Sequence, residues 1–207
     1  NANNGVAVGD PVGTDFVIYT TSNGGTSWTQ VSAASIPNAL TSEAGIVNHY
    51  YAIGITIWFT TNKGRLFKST DMGQTWTVNT TGFTSVFTPV FRDANVGIAV
   101  LDTVPYSLKK TTNGGASWTN LVPTGALVSV PTIGFIPGTP DTWMNVASYP
   151  SSGSSISIDG GISFMNIDTG SVQFTSVAFL DLNTGWAGSL NASATDGGIY
   201  KWNPAVL

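Results

Sequence analysis

Acid–base chemistry in this chain would have to come from eleven carboxylates, one histidine and two arginines. Outside the repeated turns the carboxylates are Asp10, Asp15, Glu43, Asp102, Asp141, Asp168 and Asp196. Two of them facing one another across a sugar would suffice for glycoside hydrolysis. Their positions nominate no pair, and most neighbour Gly, Pro or Thr in loop-like sequence. A Ser-His-Asp triad would have to use His49, which sits in Asn48-His-Tyr-Tyr51 and reads as a packing residue. One histidine and no cysteine leave no imidazole or thiolate metal cluster, and no turn has the dense carboxylates of a calcium loop. No glycine-rich phosphate loop is present. The residues therefore read as holding no catalytic group, no metal and no cofactor. The aromatics off the repeating pattern are Tyr50, Tyr51, Trp58 and Trp143. Such side chains can stack on a sugar or pack into a partner's surface, and Tyr50, Tyr51 and Trp143 are the ligand-contact candidates.

A turn that recurs four times must position these residues. It reads Thr21-Ser-Asn23-Gly-Gly25-Thr-Ser27-Trp28, then Ser69-Thr-Asp71-Met-Gly73-Gln-Thr75-Trp76. It returns as Thr111-Thr-Asn113-Gly-Gly115-Ala-Ser117-Trp118 and as Ser157-Ile-Asp159-Gly-Gly161-Ile-Ser163-Phe164. The Asp/Asn positions are 48, 42 and 46 residues apart, a period that points to an array of small β units. Each turn lies between two short runs rich in β-formers, which predicts an antiparallel hairpin. The Asp or Asn accepts from backbone N–H groups of its own turn, and the glycine supplies positive φ. These residues, with Trp28, Trp76 and Trp118 packed beneath their hairpins as core, thus have folding roles.

A second pattern pairs Phe91-Arg-Asp93-Ala-Asn-Val-Gly97 with Phe179-Leu-Asp181-Leu-Asn-Thr-Gly185, and Asn1-Ala-Asn-Asn-Gly5 matches its second half. It reads as strand, tight turn, strand. One repeat is then four antiparallel strands with the box turn between the third and fourth, which is the blade of a β-propeller. The fold expected is all-β, with three complete blades flanked by two incomplete ones in a single domain spanning 1–207. It reads as part of a larger propeller, since open edge strands invite aggregation. Trp186 falls on a strand position shared with Ile98 and Val6 and is expected in the core.

Composition narrows the partners. Charged residues are 9% of the chain, and Ser, Thr, Asn and Gly supply the polarity, as suits a β protein with polar turns. Net charge is −4, and no basic cluster exceeds Lys109-Lys110, so nucleic acid is excluded as a partner. No apolar stretch approaches the ~20 residues of a membrane span. Low charge, abundant Thr and Asn and the lack of cysteine favour a secreted, periplasmic or cell-surface protein. The start at Asn1 reads as a processed or partial product. Asn79-Thr-Thr81 and Asn191-Ala-Ser193 fit the N-glycosylation pattern.

The turn at Ser69–Trp76 matches the Asp-box, or BNR repeat, at every defined position, and the other three are close variants. Together with Phe-x-Asp-x-x-x-Gly-x-Ala, it most resembles the propeller of photosystem II stability and assembly factor-like proteins. It is similar also to sialidase- and sortilin-type propellers, and the resemblance covers nearly the whole chain. It implies a fold and not an activity, because the same repeat serves enzymes, receptors and assembly factors. The sialidases it resembles clamp a carboxylate with three arginines, and this chain has only Arg65 and Arg92. The assembly factors present a basic patch, and two arginines with five scattered lysines make a thin one. The expectation is an exported non-enzymatic propeller acting as a protein-binding or assembly scaffold. The alternative is a glycan-active propeller, either a glycosidase of the xyloglucan-hydrolase type or a lectin.

Overall fold

The computed structural model describes residues 2–84, 86–101, 107–126, 131–147, 152–190 and 197–204. Asp102, Asp196 and the sequon at 191–193 lie outside the described residues. The chain divides into two compact units, one of 1–102 with 110–119 and one of 103–109 with 120–207.

Alternating apolar residues between Gly-containing turns make strands, and the strands form five sheets. The first is β1 (Gly5–Val12), β2 (Asp15–Thr21) and β3 (Thr29–Gln30), in that order. The second is β4 (Gly45–Ile53), β5 (Thr56–Thr61), β6 (Arg65–Ser69) and β7 (Thr77–Thr80). The third is β8 (Phe87–Phe91), β9 (Gly97–Leu101), β10 (Ser107–Thr111) and β11 (Thr119–Leu121). In the second unit β13 (Pro131–Phe135), β14 (Trp143–Ala147), β15 (Ser154–Ser157) and β16 (Ser163–Asp168) follow one another across a sheet. The last sheet is β17 (Phe174–Asp181), β18 (Thr184–Ser189) and β19 (Ile199–Lys201). One helical turn of the 3-10 type, Ala33–Ser35, lies after β3.

All four box turns join the third and fourth strands of the repeat, and their chemistry is shared. The first hydroxyl (Thr21, Ser69, Thr111, Ser157) donates to the box Asn or Asp at 2.7–2.9 Å. It accepts from the box glycine N–H at 2.8–3.1 Å. The same Asn or Asp oxygen takes the N–H of the Ser or Thr four residues on, at 2.9–3.0 Å. Burial opposes ionisation of Asp71, but the Thr75 hydroxyl and N–H and the Ser69 hydroxyl outweigh it and hold the carboxyl low. The Ser163 hydroxyl and N–H, with Ser157 and Ile162, bring Asp159 down to about 2. Because Asn23 and Asn113 make the same backbone contact without charge, Asp71→Asn should be mild. Asp71→Ala should cost about 1–3 kcal/mol in urea unfolding, as for polar groups losing their acceptor. Equal losses for the two variants would show that the charge, not the turn geometry, matters.

The Phe…Gly pattern also has a physical reason. Phe91 lies across the ladder from Gly97, and Phe179 from Gly185. A Cβ on either glycine would stand 2.6 Å or 2.3 Å from the facing ring, so the ring lies on bare backbone.

Successive sheets pack face to face within each unit. Phe16 and Ile18 of the first sheet bury Phe59, Phe67 and Trp76 of the second. Trp58 and Leu66, on the opposite face of that second sheet, pack against Phe87 and Phe91 of the third. In the second unit Met144, Val146 and Ile156 meet Phe174. Such interleaved aromatic burial supplies the main stabilisation.

Three expectations are corrected. A two-residue strand, β12 (Thr124–Gly125), pairs parallel to β16, so the fourth sheet has five strands. Trp28 is 45% exposed and Trp186 is 44% exposed, although their register positions are core positions in complete neighbours. Each projects from the outer face of a terminal sheet, where no further sheet covers it. Among the described residues no helix is long and apolar enough to cross a membrane.

Candidate functional site

The first unit carries an open groove of about 530 Å³ between β1 and β4. Both strands are irregular there. In β1 the register slips between Gly9 and Pro11, leaving Asp10 as an extra residue at a bulge. In β4 it slips between Gly45 and Tyr50, and Asn48 takes a φ of 65°. Bulges commonly re-aim side chains beside functional sites. Here they line the groove with Val8, Val47, Asn48 and Tyr50 around Asp10. Tyr50 is 63% exposed. β1 is an edge strand, paired with β2 on one side. Sequence reading had found Tyr50 but missed Val8, Val47 and Asn48. The available signal was Gly9-Asp10-Pro11, a strand-breaking triplet inside a β-rich run.

The other aromatic candidates go elsewhere. Tyr51, on the opposite face of β4 from Tyr50, is half-buried against Phe91, and burial pushes its hydroxyl pKa up. Trp143 was a ligand-contact candidate and is fully buried, its Nε1 donating to Asp141 Oδ1 at 2.9 Å. A side chain without exposed surface cannot stack on a ligand, so Trp143 is a core residue. Trp58 is likewise buried, with Nε1 donating to the Gly114 carbonyl at 3.1 Å.

The carboxylates disperse. Glu43 is buried and ion-paired with Arg65, accepting from Arg65 Nε at 2.9 Å and from Arg65 Nη2. It also accepts from the Leu40 N–H at 2.7 Å and the Thr61 hydroxyl at 2.6 Å. Burial raises its pKa, yet Arg65 and these donors outweigh that and hold it below the usual range. Asp168 accepts from the Gly170 N–H at 2.7 Å, and Asp15 takes the Thr14 hydroxyl at 3.4 Å. Asp141 is held by Trp143. That leaves Asp10 as the carboxyl lining the groove.

His49 Nδ1 lies 2.9 Å from the Phe87 carbonyl, which can only accept, so the proton sits on Nδ1 and ties β4 to β8. Arg92 Nε pairs with Asp93 at 2.9 Å in the turn after β8. Among the described residues no three His, Cys, Asp or Glu side chains converge as a metal site. The second unit has a smaller cleft of about 230 Å³, lined by Phe174, Phe179, Tyr200 and Trp202, with Asp168 and Lys201 beside them.

No protein-family model and no curated protein matches the chain. Solved structures do. The chain is similar to YCF48 bound to D1 peptide, with a TM-score of 0.60 and 17% identity over 99% of this chain and 63% of that one. It is similar to the GH74 xyloglucanase of Xanthomonas campestris, with a TM-score of 0.61 and 12% identity over 91% of this chain and 33% of that one. It is similar to the intramolecular trans-sialidase of Ruminococcus gnavus, with a TM-score of 0.53 and 14% identity over 93% and 51%. The five sheets are β-propeller blades. The chain spans less than two thirds of each of these structures. A blade alone does not set an activity, and these neighbours include both assembly-factor and enzyme propellers.

Proposed function

We propose that this chain is an exported, non-enzymatic propeller segment that binds a partner protein as an extended peptide in the groove of the first unit. The observation that carries this reading is the groove's construction. It runs beside β1, an edge strand whose ladder groups can pair with an added strand. Val8, Val47 and Tyr50 offer apolar seats for alternate side chains, and Asp10 favours a basic residue among them. The structure of YCF48 bound to D1 peptide is an instance of peptide binding by a similar propeller. On this reading residues 1–207 act as one scaffold domain.

Extended peptides alternating Val and Lys should bind, read by fluorescence polarisation, and Tyr50→Ser should weaken them about tenfold as an exposed aromatic anchor is lost. Asp10→Asn should reduce the preference for Lys over Gln. Equal binding to the wild type and to Tyr50→Ser would contradict the assignment.

A glycan-active propeller is the second reading. The placement of exposed Tyr50 beside Asp10 in one groove favours it, since an aromatic and a carboxylate suit a sugar. A saccharide that competes with the peptide, and whose binding also depends on Tyr50, would move this reading to first place.

A further inference from the structure

The contact between the second and third blades is a template with named parts. Trp58 and Lys68 face each other across β5 and β6, and Leu66 lies two residues before Lys68. Trp58 stacks on Phe91 at 3.9 Å and donates to the Gly114 carbonyl. Lys68 Nζ donates to the Ala94 carbonyl at 3.2 Å and lies 5.4 Å from the Trp58 ring. Leu66 seats against the box turn so closely that a Cβ on Gly115 would be 2.2 Å from its methyl.

The last blade repeats the socket. Trp186 pairs with Lys201 across β18 and β19 as Trp58 does with Lys68, and Ile199 holds the place of Leu66. Here the trio is uncovered, with Ile199 79% exposed and Trp186 and Lys201 also exposed. The first blade repeats the matching part. Gly24 N–H donates to the Asn3 carbonyl at 2.8 Å, as Gly114 N–H does to the Asn95 carbonyl at 2.7 Å. Ala2, Gly24 and Gly25 therefore stand where Ala94, Gly114 and Gly115 stand, and all three are exposed. Beside them Tyr19 and Trp28 are exposed on the same sheet face.

We propose that copies of this chain associate head to tail, the Trp186–Ile199–Lys201 face of one copy seating on the Gly24–Gly25 turn of the next. Trp186 Nε1 then donates to the Gly24 carbonyl, Lys201 Nζ to the Ala2 carbonyl, and Ile199 lies on Gly25. A heterologous contact of this kind propagates into a ring or a filament. The first blade has no strand before β1 to carry a counterpart of Phe91, so the contact is weaker than its template and depends on concentration. This surface is separate from the groove and does not rest on the peptide-binding reading.

Sedimentation velocity of the wild-type chain from micromolar to millimolar should show the sedimentation coefficient rising with concentration. Trp186→Ala should weaken that association about thirtyfold, the loss expected for truncating an aromatic anchor. Met165→Ser, an exposed site outside both faces, should leave it unchanged. The chain has no cysteine, so orientation can be read with a short bismaleimide linker. A population carrying Lys201→Cys should cross-link to one carrying Ala2→Cys, and neither to itself. A wild type that stays monomeric, association indifferent to Trp186→Ala, or self-linking of either population would overturn the proposal.

Discussion

Arg65→Ala should cost about 3–5 kcal/mol in urea unfolding, the loss typical when one partner of a buried ion pair is removed. The reason lies less in the attraction lost than in what remains. Glu43 would be left as a buried carboxylate with only the Leu40 N–H and the Thr61 hydroxyl as donors. The Asn38 carbonyl would also lose Arg65 Nη2, which it now accepts at 2.8 Å. Removing both charges with Glu43→Leu and Arg65→Met should recover part of the loss, so the double variant should be more stable than Arg65→Ala. A double variant that is less stable would show that the pair itself, rather than desolvation, dominates. The pH dependence has a definite sign. Glu43 is held below its ordinary value of 4.5, so its contribution is present above that value and fades as the pH falls through the folded pKa. Asp159, at about 2, adds loss in the same direction between roughly pH 4 and 2. Acid titration of wild type and Glu43→Gln should converge in this window.

Trp58→Ala should cost a similar ~3–5 kcal/mol, the range for truncating a buried Trp to Ala. Trp58 has no exposed surface, stacks on Phe91 with an interplanar angle of 10°, and satisfies the Gly114 carbonyl. Its removal empties the contact between two blades and strands a buried acceptor. Trp58→Phe keeps the stacking and loses the indole N–H, so it should cost about 1–3 kcal/mol. Thermal unfolding of the pair separates the two terms. Equal losses would mean that the ring contributes nothing beyond its hydrogen bond.

The box turns and the Phe…Gly cross-strand pairs were legible in the sequence because their chemistry is local. Thr21, Ser69, Thr111 and Ser157 bond within five residues of themselves, and that spacing is visible in one dimension. The terminal sheets were legible for the same reason, as incomplete copies of a repeat. Long-range placement was not. Trp186 occupies a core register, and only a neighbouring sheet makes such a register buried. Trp143 was read as off-pattern, yet Asp141 supplies its indole with an acceptor and it packs inside. β12 was missed because two residues following Pro123 carry no periodicity. The groove was half legible. Tyr50 stood out as an unpatterned aromatic, but its neighbours arrive through two bulges, and a bulge is one residue of register that alternation cannot show.

The central claim is that the groove binds and does not hydrolyse, because Asp10 is its lining carboxyl and the other described candidates are engaged elsewhere. The most direct test is release of reducing sugar or aglycone from xyloglucan, sialyllactose and a panel of aryl glycosides by the wild-type chain and by Asp10→Asn. Product from both should be indistinguishable from buffer. Turnover by the wild type that disappears in a folded Asp10→Asn chain would contradict the claim and make this propeller a glycosidase.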